Sequence, residues 1–124
     1  MADTRDSILL VDDHTDLTDG LRGVLIAAGY HVERAANGRE GLEKLHGGLR
    51  PCIIVLDLAM PTVTGYAFRQ EQMAYAELSE IPVALFSTSP DLTATARQLD
   101  VVAYAAKPVD SNEVLAIIRR YCPK

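Results

Sequence analysis

Three aspartates, a hydroxyl and a lysine follow four short apolar runs of this 124-residue chain. Asp12 and Asp13 come after ILLV, Asp57 after IIVL, Ser87 after VALF and Lys107 after VVAYAA. If these runs are parallel strands of one sheet, the residues that follow them gather at one edge, where such folds bind ligands. Three carboxylates suit a hard cation, and a hydroxyl with an ammonium group suits an anion. The pattern therefore predicts a phosphate site that contains magnesium.

Each of these residues also has a simpler interpretation. The pair Asp12 and Asp13 could cap the first helix, because aspartate is a preferred N-cap residue. Ser87 could cap a later helix, Lys107 could be a solvated charge, and Tyr104, three residues earlier, could be a core aromatic. The functional interpretation is favoured because it explains all of these positions together.

Length and composition are typical of one globular domain. The chain is long enough to bury a single core, 48% of its residues are hydrophobic, and no apolar run is long enough to span a membrane. The segment MADTRDS does not resemble a secretion signal, so we expect a cytoplasmic protein. The net charge of −5 argues against direct binding to the nucleic-acid backbone, so any effect on DNA would need a partner.

Cysteine and histidine residues give no sign of a metal or disulfide site. Cys52 and Cys122 are too few for a zinc site and lie far apart in the sequence, so we expect both to be ordinary cysteines. His14, His31 and His46 match no ligand spacing, and the acidic residues favour a harder metal than histidine does. No histidine is therefore expected to take part in the chemistry.

Apolar runs of strand length alternate with longer segments of helical period, which predicts a parallel sheet built from β–α repeats. The predicted strands are 7–11, 31–35, 53–56, 83–86 and 101–105. The predicted helices are 15–28, a short one from 38 to 46, 66–78, 91–99 and one that follows Pro108. The second strand is the less apolar one and should lie at an edge, whereas IIVL should lie near the centre.

Four sequence fragments resemble the receiver domain of two-component response regulators. The fragments are LLVDDH, VLDLAMPTVTG, PVALFST and YAAKP, and the similarity covers the whole chain. It implies a flavodoxin-like, three-layer α/β sandwich, in which five helices flank a five-stranded parallel sheet of order 2-1-3-4-5. It also implies that residues 1–124 are a single receiver domain without an output domain.

The resemblance implies a role for each residue at the predicted edge. Asp57 would accept a phosphoryl group from the phosphohistidine of a sensor histidine kinase or a histidine phosphotransfer protein. Asp12, Asp13, Asp57 and the backbone carbonyl of Ala59 would bind Mg²⁺, which offsets the repulsion between an anionic nucleophile and a phosphoryl group. Lys107 would contact Asp57 before the transfer and a phosphoryl oxygen after it.

The resemblance further implies a switch. Ser87 would donate a hydrogen bond to the phosphoryl group, and the rotamer of Tyr104 would follow it. The surface made by the fourth predicted helix, the fifth strand and the last helix would then bind a downstream protein target. Such a domain would catalyse only the phosphorylation and dephosphorylation of its own aspartate. We therefore do not expect it to be an enzyme.

Several positions depart from the pattern of the family. Thr88 stands where alanine or glycine is usual, and its bulk could restrict entry of the phosphodonor or of water. Ala59 offers no side chain to the site, Thr64 replaces an aspartate, and Asp100 replaces a glycine. None of these changes removes an essential group, although they leave the lifetime of the phosphoryl group open. Asp100 is expected to adopt a left-handed cap conformation.

Three other functions remain as alternatives. The chain could be a receiver taken from a hybrid kinase or a longer regulator, which the sequence does not distinguish from a separate receiver. A phosphatase of the haloacid-dehalogenase type also uses a nucleophilic aspartate and Mg²⁺, but it needs an acid two residues later, where this chain has Ala59. The third alternative is a degenerate receiver, which binds partners without being phosphorylated. It is disfavoured because the set of acidic, hydroxyl and lysine residues is complete.

Overall fold

Five strands form the centre of the molecule in a computed structural model of the chain. The structure describes residues 7–12, 19–58, 63–88, 90–107 and 109–123. The strands are β1 (Ser7–Asp12), β2 (His31–Ala35), β3 (Ile53–Leu58), β4 (Val83–Ser87) and β5 (Ala103–Ala106). They are all parallel and lie in the order β2-β1-β3-β4-β5, which confirms the predicted topology. The less apolar β2 lies at an edge, as its sequence predicts.

Six helices occur among the described residues. They are α1 (Asp19–Ala27), α2 (Gly38–His46), α3 (Val63–Met73), α4 (Ala76–Ser79), α5 (Leu92–Leu99) and α6 (Ser111–Tyr121). The prediction of five helices missed the short α4, because the predicted helix 66–78 is broken at residues 74 and 75 into two elements. The predicted start of the first helix, 15–18, lies outside the described residues. No helix in the described ranges is long and apolar enough to cross a membrane.

The sheet has an apolar core on each face, because alternate residues of a strand point to opposite sides. The core against α2, α3, α4 and α5 contains Leu9, Val11, Ile54, Leu56, Phe68, Leu78, Leu85 and Leu99. The core against α1 and α6 contains Ile8, Leu10, Leu25, Ile53, Val55, Phe86, Val114 and Ile118. The helices thus cover both faces of the sheet, and the prediction of a three-layer α/β sandwich is confirmed.

Gly41 lies where α2 packs closely against the sheet. A Cβ atom at this position would be 3.0 Å from Val11 Cγ2 and 3.2 Å from Phe68 Cε2. Both neighbours are only 1% exposed, so they have little room to move. The absence of a side chain at Gly41 therefore permits the close approach of α2.

We expect Gly41→Ala to lower the free energy of unfolding by about 1–2 kcal/mol, because overpacking outweighs the better helix propensity of alanine. Gly23→Ala in α1 is the matched control, since a Cβ atom there would meet nothing within 4 Å. That variant should be more stable by about 0.5–1 kcal/mol. Urea unfolding followed by circular dichroism measures both, and an equal gain in the two variants would contradict the packing at Gly41.

Cys52 and Cys122 form a disulfide, so the prediction of two ordinary cysteines is wrong. Their Cα atoms are 5.5 Å apart although 70 positions separate them in the sequence. Cys52 precedes β3 and Cys122 follows α6. In a β–α repeat the helices run antiparallel to the strands, so the end of a helix and the start of a strand lie at the same edge of the sheet. Distance along the sequence was therefore a poor guide to distance in space.

Arg69 is a buried cation that joins α3 to the end of α5. Its Nε donates to the carbonyl oxygen of Leu99 at 2.7 Å, and its Nη2 donates to that of Asp100 at 2.7 Å. Its Nη1 donates to Gln72 Oε1 at 2.8 Å, and Gln72 in turn donates to two carbonyl oxygens beyond α3. Burial lowers the pKa of Arg69, and the charge of Asp100 opposes this effect. Asp100 has the left-handed conformation that its sequence predicts, with φ of 55°.

We expect Arg69→Ala to lower the free energy of unfolding by about 3 kcal/mol, because it leaves buried acceptors without their charged donor. The matched control is Arg97→Ala, which removes an exposed arginine of α5 and should change stability by less than about 0.5 kcal/mol. Chemical denaturation measures both variants. Similar small losses in the two would show that the Arg69 hydrogen bonds contribute little.

Candidate functional site

Asp12 and Asp57 lie side by side at the carboxyl ends of β1 and β3. The two residues are paired in the register of these neighbouring parallel strands. Asp12 is 1% exposed and Asp57 is 6% exposed. Each is part of its strand, because β1 and β3 extend further than the apolar runs predict. The sheet thus places two carboxylates at the edge where parallel α/β folds bind ligands.

Lys107 reaches the same edge from β5. Its Nζ forms an ion pair with Asp57 Oδ1, and its side chain is 21% exposed. Its backbone nitrogen donates to the carbonyl oxygen of Ser87 at 2.9 Å, which fixes the chain as it leaves β5. The interpretation of Lys107 as a solvated charge is therefore wrong. Residues 50 positions apart in the sequence meet because β3 and β5 end at the same edge.

One cavity of about 620 Å³ is lined by Asp12, Asp57 and Lys107. The described residues that line it are Asp12, Gly20, Leu21, Val24, Asp57, Phe86, Thr88, Lys107, Val109, Ser111 and Val114. The charged groups come from the ends of the strands, and most of the apolar groups come from α1, α6 and the segment that precedes α6. The cavity is large enough for a small anionic group beside the carboxylates.

The predicted switch residues lie close to this edge but differ in exposure. Ser87 ends β4 and is fully buried, and its neighbour Thr88 is among the cavity-lining residues. Tyr104 lies on β5 and is 45% exposed, so the interpretation of Tyr104 as a core aromatic is wrong. Val102, which precedes β5, is also exposed. The outer side of β5 therefore presents apolar surface to solvent.

Two predicted ligands, Asp13 and Ala59, lie outside the described residues. Within the ranges that the structure describes, no three or more histidine, cysteine, aspartate or glutamate side chains are close enough to hold a metal ion together. The described part of the site thus contributes two carboxylates, those of Asp12 and Asp57. Two negative charges and one ammonium group in a partly apolar cavity still suit a hard cation with oxygen ligands, so these donors fit Mg²⁺.

The cavity has an apolar wall and a polar residue that the sequence did not predict as parts of the site. The wall includes Leu21 and Val24 of α1 and Val114 of α6. Ser111 is the first residue of α6 and also lines the cavity. The sequence did offer a signal for Ser111, which lies three residues after Pro108 and therefore close behind Lys107. A helix that starts just after a site residue has its first turn near the site.

The chain belongs to the response regulator receiver domain family, whose model matches residues 8–119. It is a receiver domain of the two-component type, which is a signalling domain of the phosphoacceptor kind. This finding confirms the resemblance carried by the four sequence fragments.

Relatives with this domain include proteins longer than the chain. The response regulator Rre1 of Synechocystis is 33% identical over 117 residues, which are 91% of this chain and 50% of Rre1. A DNA-binding transcriptional regulator of the same organism, RpaA, is 32% identical over 90% of this chain and 47% of its own length. A 14.6 kDa protein of Leptolyngbya boryana is 34% identical, and the match covers 93% of this chain and 88% of that protein. The chain thus spans about half the length of Rre1 and RpaA.

Solved structures share the fold over nearly the whole chain. The chemotaxis response regulator CheY4 of Vibrio cholerae has a TM-score of 0.79 and 28% identity, over 95% of this chain and 99% of that one. The receiver domain of the sensor histidine kinase PA1611 of Pseudomonas aeruginosa has a TM-score of 0.83 and 24% identity, over 96% and 98% of the two chains. That protein was crystallised with a magnesium ion coordinated in its active site cleft.

Proposed function

We propose that this receiver domain accepts a phosphoryl group on Asp57 in a magnesium-dependent reaction. The observation that carries the proposal is the ion pair between Asp57 and Lys107, at the wall of a cavity that also contains Asp12. A nucleophilic carboxylate, a second acid and a cation are the groups that phosphoryl transfer to an aspartate requires. Membership of the receiver family supports the same chemistry.

In the proposed transfer, a carboxylate oxygen of Asp57 attacks the phosphorus atom of a phosphohistidine on a sensor kinase or a phosphotransfer protein. The new O–P bond forms as the N–P bond breaks, and the departing imidazole nitrogen takes up a proton from solvent. Lys107 holds the carboxylate beforehand and then faces a phosphoryl oxygen as a point charge. Attack of water on phosphorus later returns the carboxylate and releases inorganic phosphate, so the domain also catalyses its own dephosphorylation.

Asp12 and Asp57, with Asp13 and the Ala59 carbonyl of the sequence prediction, would hold the magnesium ion. When bound, Mg²⁺ supplies positive charge that offsets the repulsion between the carboxylates and the phosphoryl group. Without it, Lys107 would face two carboxylates and an anionic phosphoryl group alone. The residues of this chain therefore supply the nucleophile, the orienting cation and the oxygen ligands.

The proposed output is a change in the surface formed by α5, β5 and α6. Ser87 would donate its hydroxyl hydrogen to the phosphoryl group, and Tyr104 would move into the space that Ser87 vacates. The exposed apolar residues Val102 and Tyr104 suit a protein partner. A protein partner that binds this surface would carry the response.

Intact mass spectrometry tests the proposed reaction. The protein is incubated with a small acyl phosphate in the presence of Mg²⁺, and a parallel sample contains a chelator. We expect the addition of one phosphoryl group with Mg²⁺ and very little without it. No addition from either the small donor or a sensor kinase would contradict the proposal and favour a receiver that binds partners without phosphorylation.

We expect Asp12→Asn to weaken Mg²⁺ binding about tenfold or more, because the charge of the ligands sets the affinity for hard cations. The melting temperature measures this, since an ion that binds only the folded state raises it. Mg²⁺ should raise the melting temperature of the unchanged protein and of Glu77→Gln, a control on the exposed side of α4. If Asp12→Asn responds to Mg²⁺ as the control does, Asp12 is not a ligand.

A further inference from the structure

A covalent bond fastens α6 at the edge of the sheet opposite the candidate site. The disulfide joins Cys52, just before β3, to Cys122, just after α6. Asp57 lies near the other end of β3, and Ser111 at the other end of α6 lines the candidate cavity. One helix thus connects the disulfide to the wall of the cavity.

We propose that Cys52 and Cys122 are a reversible redox site, which a dithiol reductant opens and which controls how the last turn of α6 docks on the sheet. The proposal does not depend on the phosphorylation chemistry described above. It rests on the positions of the two cysteines, on the different exposure of these residues and on the noncovalent contacts that remain at this end of α6.

The two cysteines differ in access to a reductant. Cys122 is 3% exposed, whereas Cys52 is partly buried. Thiol–disulfide exchange requires a thiolate to reach one sulfur of the bond. Cys52 is the more exposed residue of the two, so we place the attack at its sulfur, which expels the Cys122 sulfur.

The exchange balances with one dithiol. A thiolate of the reductant forms a mixed disulfide with Cys52, and the Cys122 sulfur leaves as a thiolate that takes a proton from solvent. The second thiol of the reductant then attacks the reductant's other sulfur, which is bonded to Cys52 in the mixed disulfide. This step closes the oxidised dithiol and releases Cys52, which becomes a thiol on protonation. The products are two protein thiols and one oxidised dithiol, and the reverse sequence with a disulfide donor restores the bond.

Noncovalent contacts should keep most of α6 in place after reduction. Ile118 is fully buried in the core below α6, and Val114 is 3% exposed. Tyr30 donates its hydroxyl hydrogen to the Cys122 carbonyl oxygen at 2.5 Å, and the Cys122 nitrogen donates to the carbonyl oxygen of Ile118 at 2.7 Å. Reduction should therefore loosen the final turn and leave the domain folded, because ends of helices open at lower free energy than core strands.

Thiol titration and hydrogen exchange test the proposal on the whole chain. The protein is equilibrated in buffers of graded dithiol-to-disulfide ratio, quenched with acid, and its thiols are counted after denaturation. The count should pass from none to two as the ratio rises, and it should return when the ratio is lowered. In the reduced protein, the amides of residues 119–122 should exchange about tenfold faster or more, while those of residues 44–47 at the end of α2 remain unchanged.

Cys52→Ser separates the effect of the bond from other effects of the reductant. In this variant, exchange at residues 119–122 should be fast and should not respond to the dithiol. Two thiols at every ratio would overturn the proposal, because the bond would not form. A bond that no dithiol opens in the folded protein, or exchange at residues 119–122 that is equal in both redox states, would overturn it as well.

Discussion

Asp57→Asn should abolish formation of the phosphoryl adduct with any donor. An amide cannot act as the carboxylate nucleophile, and in the described part of the chain Asp12 is the other carboxylate that lines the cavity. Asparagine has nearly the same shape, so the buried side chain should be accommodated and the far-ultraviolet circular dichroism spectrum should be unchanged. The measurement is the fraction of modified protein by intact mass after incubation with Mg²⁺ and a small acyl phosphate.

The matched control is Asp91→Asn, an exposed aspartate before α5 whose side chain makes no capping hydrogen bond. It should be modified at the rate of the unchanged protein. A phosphoryl adduct that persists at an undiminished level in Asp57→Asn would show that another residue accepts the group.

Lys107→Ala should slow phosphorylation of Asp57 by about 10²–10³-fold, which is the cost of removing one preorganised charge that contacts the reacting group. Its ammonium group is paired with Asp57 and is mostly buried, so water replaces it poorly. Lys107→Arg should recover only part of the rate, because a planar guanidinium does not replace a compact point charge. The initial rate of adduct formation measures both variants.

Lys44→Ala is the control for the lysine prediction. Lys44 pairs with Glu33 at 3.5 Å on the surface of α2, and its side chain is 33% exposed. Its removal eliminates a lysine and an ion pair but leaves the cavity intact, so the rate should not change. Equal rates in Lys107→Ala and the unchanged protein would contradict a role for Lys107 in the transfer.

The apolar runs allowed most of the sheet to be predicted. A segment such as IIVL must be covered on both faces, and this requirement placed it near the centre of a parallel sheet. The polar β2 had to lie at an edge for the converse reason. The strand order came from the resemblance to receiver domains, because a sequence alone does not specify which strands are neighbours. The ends of the strands were less certain, and Asp12 and Asp57 proved to be strand residues.

Contacts between distant segments were the part that the sequence did not predict. Arg69 gives no local signal that its guanidinium is buried, since two of its three partners are backbone oxygens of residues about 30 positions later. Cys52 and Cys122 look unrelated until the sheet brings the start of β3 and the end of α6 together. The division of the predicted helix 66–78 into α3 and α4 was also missed. Gln72 donates across this break to the carbonyl oxygens of Leu78 and Ile81, which the helical period does not reveal.

The candidate site was more predictable than these contacts. Its acidic and basic groups follow strands, and the geometry of a parallel sheet brings such positions to one edge. Asp12, Asp57 and Lys107 meet there as predicted. The apolar wall from α1 and α6 was missed, because a residue on an apolar helix face gives no sign of whether it lines a cavity or fills the core.

Identification of the modified residue tests the central claim most directly. The phosphorylated protein is treated with borohydride, which reduces an aspartyl phosphate to homoserine, and the digest is sequenced by mass spectrometry. We predict that position 57 is converted, that conversion requires Mg²⁺ during phosphorylation, and that position 12 remains aspartate. Homoserine at another position, or a phosphoryl group on a histidine with Asp57 unchanged, would contradict the account.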